Sequence, residues 1–318
     1  MISVIIPTKN RNNKLYRCIR SIVNNTFQQY EIIIIDQNDF THPTNLWLSQ
    51  VNSQIKYFHY PRGGKSMALN TALHQAKGNI IAFTDDDCIV SKTWLASIYK
   101  SFSLHPNIVG VFGSTYPYLP TKVPHTICPS TFTYKKSRHI RRISHISQIG
   151  FGNNMAIRKQ SLRAVGGFRA WLGPGTIAPA AEDAEIATRL LAYNNELFYE
   201  PAMRVHHNRW LYSSEMRRQD VLYYRGEFAC YAYYASQKYL VTQYNITQKM
   251  LILVHRIQIV WKNMFYKGLN RDTIGATYWQ TRIFTSALLG VCIGLYFALI
   301  DPIDKNTKMT QDIKYSQP

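Results

Sequence analysis

Acidic residues are missing from a long central stretch of this sequence. No Asp or Glu occurs between Asp87 and Glu182, a span of ninety-four residues that carries twelve Lys and Arg. The whole 318-residue chain has a net charge of +19. Because the summed field of a basic surface attracts anions, this imbalance indicates an anionic partner.

Patterns that read nucleic acid are also lacking. The sequence contains no helix-turn-helix, RNP-type or zinc-finger pattern that could place side chains against bases. We therefore expect no nucleic-acid partner. An anionic membrane surface or a substrate that carries a diphosphate fits the positive charge better.

Cysteine is scarce, and the chain start lacks the features of a secretory signal. The five cysteines are odd in number and include no CxxC pair, which argues against both a zinc site and a disulfide framework. A reducing compartment is expected. The first apolar run stops at Pro7 and has no basic segment before it, so no signal peptide is predicted. The cysteines are Cys18, Cys88, Cys128, Cys230 and Cys292.

What the sequence does contain is a series of short apolar runs that end in polar or acidic side chains. Helical periodicity lies between the first two runs and again before the last one, which predicts βαβ units and a parallel sheet. In such a sheet the loops after Thr8, Asp36 and Thr84 emerge at the same edge. The predicted strands are residues 3–8, 31–36, 55–60 and 79–84, and the predicted helices are residues 12–27 and 66–76.

Three consecutive carboxylates, Asp85, Asp86 and Asp87, follow the run at 79–84. Adjacent carboxylates repel one another unless a cation lies among them. Mg²⁺ or Mn²⁺ is suited to this role, since both prefer oxygen ligands and are commonly bound together with substrate phosphates. The alternative is an acidic surface turn that opens the helix starting near Ser91.

Five segments in this order and spacing resemble the family 2 glycosyltransferases that have a GT-A fold. The resemblance covers about residues 1–210. It implies an α/β sandwich with a mostly parallel central sheet, a nucleotide-sugar donor and inversion at the anomeric carbon. The segments are SVIIPTKNR, EIIIIDQND, GGKSMALNTALHQAKGNIIAFTDDDC, FGNNMAIRKQSLRAVGGF and EDAEIATRLLAYNNELFYEPAMRVHH.

The resemblance also implies which residues bind the donor, for which a UDP-sugar is the expected class. Lys9 stands where many relatives have an aromatic residue that stacks on the base, and Leu69 replaces a frequent Arg. Lys65 is a candidate substitute for that missing contact. By the resemblance, the donor-binding positions are Thr8, Asp36, Gly64, Ser66, Asn70 and Asp85.

Metal ligation is implied for Asp85 and Asp87, which match the Asp-x-Asp of the family, with Asp87 as the direct ligand. A His after the strand near residues 198–201 often reaches the metal or the pyrophosphate in relatives. We favour His206 for this role. His207 is the alternative, because neighbours on a strand point to opposite faces.

The second acidic site, Glu182 and Asp183, opens a predicted helix at 184–193. The structural interpretation of this pair is that the helix dipole alone favours acidic residues in the first turn of a helix. By the resemblance, Asp183 is the catalytic base and Glu182 raises its pKa or orients the acceptor. The residues implied on the acceptor side are Asn153, Asn154, Trp171 and Glu182, with Trp171 opening a turn-rich segment at 171–176.

Beyond residue 210 the composition changes, so we expect a catalytic domain at 1–210 and a helical, basic region at 211–318. Residues 283–300 carry no charge and include Gly290 and Gly294 in GxxxG spacing. Eighteen residues is near the short limit for a membrane span, so spanning, lying in the interface, packing within protein and homodimer formation all stay open. We expect the chain to act at the cytoplasmic face of the cell membrane on an anionic or lipid-diphosphate-linked glycan acceptor.

The predicted activity is inverting sugar transfer to an acceptor hydroxyl in the synthesis of cell-surface polysaccharide or glycolipid. A sugar-nucleotide pyrophosphorylase would use a similar sheet and similar acids, but its Gly-rich loop would directly follow the first strand. Residues 7–11 contain no glycine. A noncatalytic carbohydrate-binding or scaffold protein is disfavoured because both Asp85/Asp87 and Asp183 are retained.

Overall fold

The computed structural model describes residues 1–40, 53–141, 149–193, 195–237, 240–267 and 271–300. The part of the predicted 211–318 region beyond residue 300 therefore lies outside the described residues. The chain forms two compact units. The first consists of Met1–Ala170 and Glu182–Tyr212, and the second of Trp171–Ala181 and the chain from Ser213 onward.

The first unit contains one large mixed sheet. Its strands are β1 (Ile2–Thr8), β2 (Tyr30–Asp36), β3 (Ile55–His59), β4 (Ile80–Phe83), β5 (Cys88–Val90), β6 (Ile108–Pro117), β8 (Arg138–Ile140), β9 (Met155–Arg158) and β10 (Glu196–His207). The strand order is β3-β2-β1-β4-β9-β6-β10-β5, and β8 also pairs with β10. Strands β3, β2, β1 and β4 are mutually parallel, as the βαβ pattern predicts. The sheet becomes mixed where β9 runs antiparallel between β4 and β6. The short strands β7 (Thr126–Ile127) and β11 (Leu211–Tyr212) pair with each other in a separate two-stranded sheet.

Helices cover both faces of this sheet. Alternate residues of β1 show the division, since Val4 and Ile6 face one apolar cluster and Ile5 faces the other. The first cluster includes α1 and α3, and the second includes α2, α4 and α5. Burial on both faces explains why these strands are continuous apolar runs in the sequence. The helices are α1 (Asn12–Val23), α2 (Lys65–Gln75), α3 (Trp94–Leu104), α4 (Lys159–Ala164) and α5 (Glu182–Ala192).

The neighbouring strands β6 and β10 approach each other closely at Gly113. The register of this pair shifts between Glu200 and Arg204. A Cβ at Gly113 would lie 2.1 Å from the carbonyl oxygen of Met203 and 2.6 Å from Asn154 Nδ2. Only glycine fits there, because a backbone oxygen cannot move aside as the end of a side chain can.

Up to residue 300, where the described part of the chain ends, the second unit contains the long helices α6 (Ser213–Ser236), α7 (Leu240–Lys267) and α8 (Arg271–Ile300). The GxxxG pair lies against α6: a Cβ at Gly290 would lie 2.3 Å from the Arg225 carbonyl oxygen, and one at Gly294 would lie 2.1 Å from that of Ala229. These glycines therefore allow two helices of the same chain to approach closely.

The opposite face of α8 is exposed and apolar. Among the helices that the structure describes, α8 is the one that is long and apolar enough to cross a membrane, with a mean hydropathy of 2.3 over its most apolar eighteen residues. Thirty-nine per cent of that window is buried within the protein. Exposed side chains on this face are Leu288, Leu289, Leu295, Tyr296 and Leu299.

We predict that Gly113→Ala lowers the free energy of unfolding by about 1–3 kcal/mol, the usual cost of adding a methyl group to a packed region. Gly275→Ala is the control, because a Cβ there has no neighbour within 4 Å and alanine favours a helix. Urea unfolding followed by circular dichroism measures both. Equal midpoints for Gly113→Ala and the unmodified protein would contradict this packing.

Candidate active site

The carboxyl ends of β1, β2 and β4 meet at one edge of the sheet, as predicted. Thr8 pairs with Asp36 in the register of β1 and β2. The Thr8 hydroxyl donates a hydrogen bond of 2.7 Å to Asp86 Oδ2. The structure thus brings Thr8, Asp36 and the acidic triplet together at the place where open α/β sheets bind ligands.

Asp36 is fully buried and shapes the loop that follows β2. Its carboxylate accepts hydrogen bonds from the Tyr57 hydroxyl and from the backbone N–H of Asn38. The next residue, Gln37, was not predicted as a site residue. Its side chain donates to three consecutive carbonyl oxygens at the start of α2, those of Arg62, Gly63 and Gly64.

Among the other predicted donor residues, Gly64 lies directly before α2 and Ser66 is fully buried in its first turn. Asn70 has a different environment. Its amide donates to the Phe168 carbonyl oxygen and accepts from the Phe168 N–H, each at 2.8 Å. In this structure the Asn70 side chain therefore anchors the turn at Gly167 and Phe168.

Arg11 neutralises two members of the acidic triplet. Its Nη1 lies 3.0 Å from Asp86 Oδ1 and 2.9 Å from Asp87 Oδ2. Burial, together with the neighbouring Asp87 charge, raises the pKa of Asp86 to about 6. The sequence reasoning missed Arg11, because it lies in the loop after the first strand and the sequence gives no partner for its guanidinium.

His207, not His206, lies beside the acidic triplet. The Nε2 atom of His207 is 3.2 Å from Asp87 Oδ1, a buried oxygen that accepts no hydrogen bond from the described residues. Burial alone would lower the pKa of His207, but Asp87 outweighs it and raises the pKa to about 9. His206 points to the other face of β10, where its ring is 5.7 Å from that of Tyr116. The geometry therefore favours the alternative of the two histidines, because residue alternation on β10 separates them.

Lys65 joins the two acidic sites. Its Nζ is 2.8 Å from Asp85 Oδ1 and 3.3 Å from Glu182 Oε1. Burial opposes the charge of Lys65, but the two carboxylates outweigh it and raise the pKa of this amine well above its usual range. The pKa of Glu182 is raised to about 7, mainly by burial and further by Asp183, although Lys65 opposes the shift.

Asp183 is held by backbone groups. Its Oδ2 accepts a hydrogen bond of 2.6 Å from the Gly152 N–H, and its Oδ1 accepts one of 2.8 Å from the Ala184 N–H. A Cβ at Gly152 would lie 2.7 Å from Asp183 Cβ, so glycine is required at that position. Asp183 and Asp85 line one pocket, whose other lining residues are Pro7, Lys65, Leu69, Phe83, Thr84, Gly152, Met155 and Glu182.

The residues expected on the acceptor side have different partners in the structure. Asn153 accepts a hydrogen bond of 3.2 Å from Thr115 Oγ1. Asn154 is fully buried and accepts from the Trp94 indole at 2.8 Å, while its amide donates to the Ser114 and Met203 carbonyl oxygens. The Asn154 side chain thus bridges α3, β6 and β10. Trp171 belongs to the second unit.

Comparison with known proteins identifies the family. The family model described as glycosyl transferase family 2 matches residues 3–166. This match covers more than half of the chain, and the chain belongs to that family. The membership agrees with the resemblance carried by the strand-end motifs.

Curated relatives match over shorter stretches. A GalNAc(5)-diNAcBac-PP-undecaprenol beta-1,3-glucosyltransferase of Campylobacter jejuni is 40% identical over 91 residues, which are 27% of this chain and 29% of the relative. The poly(ribitol-phosphate) beta-N-acetylglucosaminyltransferase TarP of Staphylococcus aureus is 32% identical over 105 residues, 31% of this chain and 32% of the relative. The matched stretches span between 13% and 40% of the lengths of the relatives compared.

A solved structure supports the fold over nearly the whole chain. The mannosyltransferase PcManGT from Pyrobaculum calidifontis, in complex with GDP-Man and Mn²⁺, aligns with a TM-score of 0.59 and 16% identity. The alignment covers 91% of this chain and 86% of that one. The expected GT-A-type α/β fold followed by a helical region is therefore confirmed.

Residues at and beside the acidic triplet offer ligand atoms that suit a divalent cation. Asp87, Cys88 and His207 each offer one ligand atom, and these atoms all lie within 4.8 Å of one another. The carboxylate and the imidazole are ligands that Mn²⁺ accepts, whereas a thiolate suits softer metals. Asp87 Oδ1 and the facing His207 Nε2, once it has lost its proton, could therefore hold the metal.

We predict that Mn²⁺ affinity rises with pH, because a metal must displace the proton that His207 carries below a pKa of about 9. The dissociation constant should fall by about tenfold per pH unit between pH 6 and pH 8 and level off above 9. Titration of the protein with Mn²⁺, followed by electron paramagnetic resonance, measures it.

The matched pair of variants is His207→Gln and His206→Gln. His207→Gln should weaken Mn²⁺ binding and flatten its pH dependence, whereas His206→Gln should leave the dissociation constant within about twofold, since its ring faces away. Equal losses in the two variants would contradict the assignment of His207.

Proposed function

We propose that this chain is a metal-dependent, inverting glycosyltransferase that moves a hexose-type sugar from a nucleotide-diphosphate sugar to an acceptor hydroxyl. The observation that carries the proposal is that Asp85, of the acidic triplet, and Asp183, of the second acidic site, line one pocket. Lys65 bridges Asp85 to Glu182 in the same pocket. Donor activation and proton removal can therefore take place within reach of one another.

The donor end of the pocket must stabilise a leaving diphosphate. Asp85, Asp87 and His207 would hold Mg²⁺ or Mn²⁺, which when bound neutralises the charge that builds on the leaving group. Lys65 adds a fixed positive charge beside Asp85. Thr8 and Asp36 lie at the adjoining strand ends, where they support the proposed site for base and ribose. A UDP-sugar is our proposed donor; the similar mannosyltransferase holds GDP-Man.

At the acceptor end, Asp183 serves as the general base. As the acceptor oxygen forms its bond to the anomeric carbon, the bond from that carbon to the diphosphate oxygen breaks, and the acceptor proton passes to the Asp183 carboxylate. The Gly152 N–H fixes the orientation of this carboxylate. Attack from the face opposite the leaving group inverts the configuration and needs no covalent intermediate.

We predict that Asp183→Asn cuts turnover by about a hundredfold or more while donor affinity stays nearly unchanged, because a positioned base acts on the transition state. The control is Asp39→Asn. The Asp39 carboxylate is exposed, and its Oδ1 lies 4.0 Å from Lys9 Nζ, which is long for an ion pair. Initial rates of donor hydrolysis and calorimetric nucleotide binding measure the two quantities. If affinity falls as far as turnover, Asp183 is a binding or structural residue instead.

We further propose that the enzyme works at the cytoplasmic face of the cell membrane on an anionic or lipid-diphosphate-linked glycan acceptor. The support comes from the net charge of +19 and from the exposed apolar face of α8. Each Lys or Arg near an anionic leaflet adds about 1 kcal/mol of attraction. The two relatives named above act, by their names, on an undecaprenol diphosphate and a poly(ribitol phosphate), which favours a role in cell-surface polysaccharide or glycolipid synthesis.

We predict that the full-length protein floats with anionic vesicles and that Leu288→Glu with Leu295→Glu abolishes flotation. These side chains are 41% and 46% exposed on α8, so the acids should charge the membrane face without entering the packed face. The matched control is Leu104→Glu with Leu119→Glu, two exposed leucines of the first unit. Membrane binding through α8 is contradicted if both double variants float. It is also contradicted if the unmodified protein does not float.

A further inference from the structure

Helices α6 and α8 of the second unit lie side by side and point in the same direction. The Ser286 hydroxyl of α8 donates a hydrogen bond of 2.8 Å to the Val221 carbonyl oxygen of α6. The contacts at the next two turns keep this register, since the residue numbers differ by 65 in every pair. The pairs are Ser286 with Val221, Gly290 with Arg225 and Gly294 with Ala229. The uncharged run at 283–300 therefore lies beside residues 218–235 of α6.

The stretch of α6 beside the uncharged run carries charges. They belong to Arg218, Asp220, Arg225 and Glu227. Arg225 Nε donates to the Ser286 hydroxyl at 3.3 Å, so this guanidinium lies directly against α8. By the shared register, Arg225 and Glu227 are level with residues 290 and 292, in the middle of the run. Because a charge at the centre of a bilayer is costly, a membrane span by α8 with α6 beside it is strongly disfavoured.

The apolar contacts between the two helices oppose a separate insertion of α8. Ala229 and Tyr233 of α6 are fully buried and belong to one apolar cluster with Ile293 of α8. Phe297 of α8 stacks on the Trp171 ring, with centroids 4.6 Å apart and an angle of 8° between the planes. If α8 entered lipid alone, its partners in this cluster would face water, which the hydrophobic effect opposes. Helix α6 cannot cross with it, because α8 is the one described helix that is apolar enough to do so.

The exposed face of α8 nevertheless has the character of a lipid-binding surface. It begins with Tyr278 and Arg282, whose guanidinium lies 5.5 Å from the Tyr278 ring centroid. Aromatic and basic side chains at the edge of an apolar surface are favoured at lipid headgroups. The face then continues at helical spacing through exposed apolar side chains. These are Leu288, Cys292, Leu295 and Leu299.

The charge of the neighbouring sequence indicates the kind of lipid. Between Glu227 and Asp272 the chain contains no Asp or Glu but six Lys and Arg. This stretch includes α7, on which Trp261 and Phe265 are 61% and 85% exposed. A surface with positive charges and exposed aromatic rings is complementary to an anionic leaflet. An apolar protein partner would leave these positive charges without a counterpart.

We propose that α8 binds an anionic lipid surface without crossing it. The helix lies along the plane of the membrane, and its exposed face enters the boundary between headgroups and acyl chains. The opposite face stays packed on α6, whose charges remain on the water side and keep their hydration. This inference rests on the membrane binding put forward under the proposed function and assigns the mode of that binding.

The test measures how deep single spin labels on α8 lie in a bilayer. The full-length protein is reconstituted from detergent into vesicles of phosphatidylglycerol and phosphatidylcholine, so that a span and an interfacial position are both accessible. Cys292 is exposed and takes one label without a substitution, since the other four cysteines are buried. In a Cys292→Ser background, Leu288→Cys, Leu295→Cys and Leu299→Cys carry labels on the same face. Leu104→Cys, at an exposed position of the first unit, is the control for a label in water.

We expect similar depths for the labels at 288, 292, 295 and 299. Depth is obtained from collisions of the label with oxygen, which dissolves in lipid, and with a nickel chelate, which stays in water. All four labels should be shielded from nickel, whereas the label at 104 should stay accessible. An upright α8 would place the labels at 292 and 299 about 10 Å apart along the membrane normal. For a helix in the interface, their depths should differ by less than one helical turn, about 5 Å.

Three results would overturn the inference. A depth difference of more than one helical turn between 292 and 299 shows a span and leaves the proposed membrane binding intact. Labels that remain open to nickel in the presence of vesicles reject both the inference and the proposed membrane binding. Labels on two copies that broaden each other's spectra show that this face is a contact between copies. None of these measurements depends on sugar transfer, so a failure of the catalytic proposal is distinguished from each of them.

Discussion

The burial of several carboxylates at one edge of the sheet is the constraint on which the site depends. Buried like charges repel and lose their hydration, so each must be paired with a cation or take up a proton. The protein uses Arg11 and His207 for Asp87, and Lys65 for Asp85 and Glu182. Despite these cations, burial raises the pKa of Asp86 to about 6 and that of Glu182 to about 7.

Partial neutralisation fits the metal site that we propose. The cations that pair with Asp87 are the side chains of Arg11 and His207. His207 can release its proton and then offer a nitrogen ligand. Lys65 has a different role, because it connects the acid at the donor end to the acid beside Asp183. A change of charge at one end of the pocket is therefore felt at the other end through a single ammonium group.

The sequence was sufficient to predict the four parallel strands β1 to β4 and the acids that follow β4. Isoleucine runs such as the one in β2 identify strands covered on both faces, and their polar ends identify the shared edge. The choice between His206 and His207 depends on the register of β10, which a lone sequence does not reveal. The role of Asn154 inside the core also needed coordinates, because its three partners lie on α3, β6 and β10.

The partners of Arg11 and Lys65 were beyond sequence reasoning for a related reason. Each ion pair joins residues that are far apart in the chain, and a basic residue in a loop has many acids to choose from. The 171–181 segment is a further example. Its composition indicates a turn, but only the packing shows that the turn is held by helices more than forty residues later in the chain.

We propose that the buried acids form a metal-dependent centre for nucleotide sugars. Hydrolysis of a panel of UDP-, GDP- and dTDP-sugars, measured with Mn²⁺, after EDTA and after Mn²⁺ is restored, tests it most directly. We predict that one class of donor is hydrolysed, that EDTA stops the reaction and that Mn²⁺ restores it. Full activity in EDTA, or no hydrolysis of any donor, would contradict it.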